Sequence, residues 1–104
     1  MSERKILYSP GFGAGWTTWN YNPDVCRYML TYQPIIDVLE RGETVSEALL
    51  EQLKRECKEQ FGEDHICVLG ADDLTVKTVQ GRVRIHEYDG SESVEEEGAY
   101  EGWM

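Results

Sequence analysis

The densest chemical signal in the chain is Gly11-Phe12-Gly13-Ala14-Gly15-Trp16-Thr17-Thr18-Trp19-Asn20-Tyr21, where three glycines alternate with small residues and four aromatic rings. Glycines between a strand and a helix let backbone N–H groups approach an anion, the geometry of phosphate-binding loops. The dinucleotide fingerprint is incomplete here, because Trp16 stands at its third glycine position and no Gly-Lys-Ser/Thr follows. What the segment offers is a set of free amides beside Phe12, Trp16, Trp19 and Tyr21. That suits a small planar ligand whose ring stacks while its polar atoms meet the amides. The competing reading makes the glycines a tight turn and packs the aromatics on the sheet or on a second subunit.

Further polar groups extend the expected binding set. Arg27, Arg82, Arg84 and His86 supply positive charge, the last three alternating along one stretch. Tyr88 and Asp89 follow in Glu87-Tyr88-Asp89-Gly90-Ser91-Glu92, whose Asp-Gly reads as a turn with solvated acids. The full set of ligand- or partner-binding candidates is Gly11, Phe12, Gly13, Ala14, Gly15, Trp16, Trp19, Tyr21, Arg27, Arg82, Arg84, His86, Tyr88 and Asp89. His65 and Cys67 alternate on one face, but no second pair stands at zinc-site spacing, so no metal is expected. Cys26, Cys57 and Cys67 are an odd count without Cys-x-x-Cys and read as reduced thiols. No Ser-His-Asp order, Gly-x-Ser-x-Gly or His-Glu-x-x-His is present, so no catalytic residue and no cofactor is assigned, and a non-enzymatic role is expected.

Charge narrows the partners. The chain carries 20 acids against 10 bases, a net of −10. Beyond residue 84 lie Glu87, Asp89, Glu92, Glu95, Glu96, Glu97 and Glu101 with no Lys or Arg. A field of that sign repels phosphate backbones and attracts basic surfaces, so direct nucleic-acid binding is not expected.

These groups must be positioned by a small set of elements. At 104 residues with 40% hydrophobic content, one domain spanning 1–104 is expected, its acidic segment 92–104 loose. Arg4 to Ser9 reads as a strand closed by Pro10-Gly11. Asn22 reads as an N-cap ahead of Pro23, and Val25, Met29, Tyr32, Ile35, Ile36 and Leu39 recur at helical spacing, interrupted at Pro34 and closed at Gly42. Thr44-Val45-Ser46-Glu47 has the capping-box pattern and opens a helix ending at Gly62. His65 to Leu69, Leu74 to Val79 and Arg82 to Tyr88 read as strands, with a short further one near Glu92 to Glu95. The order predicts an α+β fold, a small antiparallel or mixed sheet of four to five strands with two to three helices packed on one face. No apolar run is long enough to cross a bilayer and the start lacks a signal-peptide core, so a cytoplasmic protein without membrane partners is expected. Open sheet edges make a homodimer an expectation as well.

Two stretches, Ile6-Leu7-Tyr8-Ser9-Pro10-Gly11-Phe12-Gly13-Ala14-Gly15-Trp16 and Arg84-Ile85-His86-Glu87-Tyr88-Asp89-Gly90-Ser91-Glu92, resemble the two ends of small bacteriophage-encoded proteins with a Gly-Phe-Gly type loop and a closing Glu-Tyr-Asp-Gly strand. The resemblance implies a role in the cytoplasm of an infected bacterial cell, where such proteins act against host defence. Two functions then compete with a third. The first is sequestration of a small nucleotide-like ligand by the Gly/aromatic loop. The second is an acidic, nucleic-acid-mimicking inhibitor that occludes a host defence protein. The third is a small enzyme without a recognisable motif.

Overall fold

The computed structural model describes residues 3–11, 15–80, 83–88 and 91–96, the side chain of Asp72 excepted. It is α+β, with four strands, three α-helices and two 3-10 turns among those residues. The strands do not form the single sheet expected. β1 (Glu3–Tyr8) pairs antiparallel with β2 (Thr75–Gln80), and β3 (Val83–Tyr88) pairs antiparallel with β4 (Ser91–Glu96), as two separate two-stranded sheets.

The reason lies in β1. Consecutive strand residues point to opposite faces, yet Ile6 and Leu7 are both fully buried. Leu7 joins the main core with Trp16, Val25, Met29, Ile35, Ile36, Leu53 and Cys57. Ile6 joins a second core with Leu30, Val79, Val83 and Ile85, against which Val94 packs. Helices therefore cover one face of the β1–β2 ribbon while the β3–β4 hairpin helps to cover the other, a different solution from helices on one face of one sheet.

The helical third follows its local signals closely. α1 (Pro23–Leu30) is capped by Asn22, whose side chain accepts from the Asp24 amide at 2.9 Å, with Pro at the start where a missing N–H costs nothing. Pro34 lies in the first turn of α2 (Gln33–Glu40), and the carbonyl four residues back from it belongs to Leu30, where α1 stops. Two abutting helices result. Gly42, at φ 78°, closes α2 with the Glu43 amide donating to Val38 O at 3.1 Å and the Gly42 amide to Leu39 O at 3.0 Å. α3 (Glu47–Phe61) is capped by Ser46, not by Thr44 as the capping box suggested, because Ser46 Oγ accepts from the Leu49 amide at 3.2 Å and leaves Glu47 at the first helical position. Gly62, at φ 70°, ends it.

Two more expectations need correction. Residues 62–68 form no ladder, and Leu69–Asp73 is a 3-10 turn where a strand and loop were expected. The short strand expected near Glu92 to Glu95 is β4, so residues 92–96 of the segment expected to be loose are paired, and residues 97–104 lie outside the described residues. No helix among the described residues is long and apolar enough to cross a membrane.

Candidate functional site

The amides that flank the glycine run, those of Ser9, Trp16 and Thr18, do not face solvent. The carboxylate of Glu92, only 2% exposed, fills the place an external anion would take. Its Oε1 accepts from the Ser9 amide at 2.8 Å. Its Oε2 accepts from the Trp16 amide at 2.8 Å, the Thr18 amide at 3.1 Å and Thr18 Oγ1 at 2.6 Å. The Glu92 amide donates to Ser9 O at 2.7 Å, so β4 is tied to the end of β1 through backbone and side chain together. Ser91 Oγ adds a bond to Pro10 O at 2.7 Å.

This contact explains two of the glycines. Neither Gly11 nor Gly15 has a positive φ. What they provide is room. A Cβ on Gly15 would stand 2.5 Å from Thr18 Oγ1, 2.7 Å from Trp19 Cδ1 and 3.1 Å from Glu92 Oε2, and one on Gly11 would stand 2.3 Å from Asp73 Oδ2. Glycine at both positions admits side chains of the chain itself, Asp73 at Gly11 and Thr18, Trp19 and Glu92 at Gly15.

The structure disperses the other sequence candidates. Trp16 is fully buried, and its indole Nε1 donates to Met29 O at 3.0 Å, so its ring is core and not a ligand surface. Arg27 is exposed and paired with Asp24 at 2.5 Å. Arg84, His86 and Tyr88 lie on the opposite face of β3 from Val83 and Ile85. His86 meets Glu95 there, and Tyr88 is 80% exposed beside Ser91. Phe12, Gly13, Ala14, Arg82 and Asp89 lie outside the described residues. Of the candidates among the described residues, Trp19 and Tyr21 are the two that the structure brings to one cavity.

That cavity, about 310 Å³, opens where the 3-10 turn Thr17–Trp19 runs into α1. Trp19, Tyr21 and Val25 line it from this side, and Glu63, His65 and Ile66 from the extended segment after α3. Asn20 fastens the two walls. Its Oδ1 accepts from the Cys67 amide at 2.8 Å, and its Nδ2 donates to Cys67 O at 3.1 Å and to Trp16 O at 2.9 Å. The amide side chain thus acts as the missing strand partner for Cys67. Asn22 Nδ2 reaches Glu63 Oε2 at 3.3 Å across the same gap. Cys26, whose Sγ donates to Thr17 O at 3.2 Å, braces the turn from beneath, and burial pushes its thiol pKa upward. Trp19 is 37% and Tyr21 fully exposed, so aromatic surface faces solvent at this mouth.

Glu63, Asn20 and Ile66 were not singled out from sequence. The alternation of His65 with Cys67 was visible, but its meaning as a pocket wall depends on the Asn20 contact across 47 residues. Among the described residues no group of His, Cys, Asp and Glu is arranged to hold a metal. No protein-family model, curated protein or solved structure matches the chain.

Proposed function

We propose that the chain is a small acidic binding protein without catalytic activity, which sequesters a small planar ligand at the cavity between Trp19 and Tyr21 and the segment 63–67. The observation that carries this reading is that two solvent-facing aromatic rings line one cavity whose walls are fastened by Asn20. A cavity of about 310 Å³ lies within the range of small-molecule sites, and such sites are mostly apolar with a few fixed polar groups. The site lies at the C-terminal end of the Gly/aromatic segment rather than on its glycines, whose neighbouring amides Glu92 already occupies. A counter-defence role in an infected bacterium remains the setting that the resemblance implies. The charge-mimic alternative draws on the acidic C-terminal end, but Glu92 is buried and Glu95 is engaged by His86.

Native mass spectrometry of the protein purified from bacterial lysate tests the reading. Wild type should retain a small-molecule adduct that the Tyr21→Ala protein loses. Tyr21 is fully exposed, so this substitution should leave stability within about 0.5 kcal/mol. An adduct retained equally by both, or none on either, overturns the site.

A further inference from the structure

We infer that the group recognised in this cavity is a planar cation, a guanidinium or protonated amidine-like head, rather than a phosphate. The inference rests on the cavity being a ligand site, as proposed above. Three features converge on it. The first is aromatic: Trp19 and Tyr21 line the cavity with exposed ring surface, and aromatic faces attract cations through their quadrupole, most strongly for Trp and for the flat guanidinium.

The second is the charge of the wall. Glu63 supplies a carboxylate, and its contact within the described side chains is one long bond from Asn22 Nδ2 at 3.3 Å, which leaves acceptor capacity for a charge-assisted partner. Glu63 immediately follows Gly62, the end of the 15-residue helix α3, so the partial negative charge of that terminus adds to the carboxylate. The N-terminus of α1 also reaches the cavity through Asn22 and Val25. Its Asp24 amide is already taken by Asn22 Oδ1, and Asp24 itself sits in that first turn.

The third is what an anion would need. No Lys or Arg lines the cavity among the described residues, where His65 is the basic side chain, the exposed Arg27 on α1 is held by Asp24, and the Ser9, Trp16 and Thr18 amides are occupied by Glu92. A net charge of −10 steers cations inward and anions away.

Titration of ¹⁵N-labelled protein with N-acetyl-arginine amide, its neutral isostere N-acetyl-citrulline amide and adenosine monophosphate tests this. The arginine probe should move the indole signal of Trp19 while that of Trp16, bonded to Met29 O, stays still. Citrulline should bind about tenfold more weakly, and Glu63→Gln, which can keep the Asn22 contact, should remove most of that difference. Binding of adenosine monophosphate at Trp19 with no arginine binding overturns the cation while the cavity stands. Equal affinity for arginine and citrulline probes, or an arginine affinity unchanged in Glu63→Gln, overturns it as well. If no probe moves Trp19, the cation inference fails, and the adduct experiment then judges the cavity separately.

Discussion

Removing the carboxylate of Glu92 is the most informative perturbation of the fold. In the Glu92→Ala protein, the Ser9, Trp16 and Thr18 amides and the Thr18 hydroxyl lose their acceptor together. Hydrogen bonds to a charged group contribute about 1.5–3 kcal/mol each, but burying the carboxylate offsets part of their sum. Water entering the vacated space recovers some of the rest, so a net loss of about 3–5 kcal/mol is expected, against a total stability of about 5–15 kcal/mol for a domain. At roughly 4–8 °C per kcal/mol for a chain of this size, the melting temperature should fall by at least about 12 °C. Glu92→Gln should fall between the two proteins, because its NH₂ must face one donor on either the Ser9 or the Trp16 side. Thermal melts by circular dichroism, with hydrogen exchange at Trp16 and Thr18, provide the assay. An alanine variant melting within a few degrees of wild type, with those amides still protected, would show that the Glu92 carboxylate does not hold this corner of the fold together.

Gly15→Ala should cost about 1–3 kcal/mol, because the new methyl meets Thr18 Oγ1 and Trp19 Cδ1 well inside contact distance, and should also disturb the Trp19 indole signal. Trp16→Ala should cost about 3–5 kcal/mol by chemical denaturation, so any loss of binding in it reports unfolding, not contact with a ligand. Glu56 accepts from both Tyr28 and Tyr32, and these bonds, that from Tyr28 foremost, hold its carboxyl below the ordinary value of 4.5. Its stabilising contribution is therefore fully present above about pH 4.5 and lost as pH falls through the lower folded value, so Glu56→Gln should flatten the acid limb of a stability-against-pH profile. Burial pushes the Cys57 thiol up to about 11, and the folded protein at pH 8 should show it unreactive to a thiol reagent until denaturant is added.

Much of the helical third was legible from sequence because its determinants are local. Asn22-Pro23, Pro34, Gly42 and Gly62 act within one turn of themselves, and each stands where a cap or break was expected. The sheet arrangement was not legible, since hydrophobic alternation in β1 and β3 fixes which residues face inward but not which ribbon covers which face. Ile6 and Leu7 side by side were the signal that β1 is buried on both faces. The site divided in the same way. Trp19 and Tyr21, which line the candidate cavity, belong to the aromatic run legible in the sequence, whereas Trp16 looks identical to them there and lies instead in the core with Met29, Leu53 and Cys57. The acidic cluster around Tyr88 hid its one structural member, because nothing local distinguishes Glu92 from Glu87. Only the three amides and one hydroxyl gathered from residues 9 to 18 do so.

Ligand binding at Trp19 and Tyr21 should leave Glu92 in place on the Ser9, Trp16 and Thr18 amides. Mapping amide and indole shifts of the labelled protein on addition of the small-molecule fraction of a bacterial lysate tests it most directly. Changes are expected at Trp19, Tyr21, Asn22, Ile66 and Cys67, with the Ser9, Trp16 and Thr18 amides unmoved. Large shifts at Ser9, Trp16 and Thr18 with a silent Trp19 would mean that the ligand displaces Glu92 and binds the glycine loop, and would contradict it.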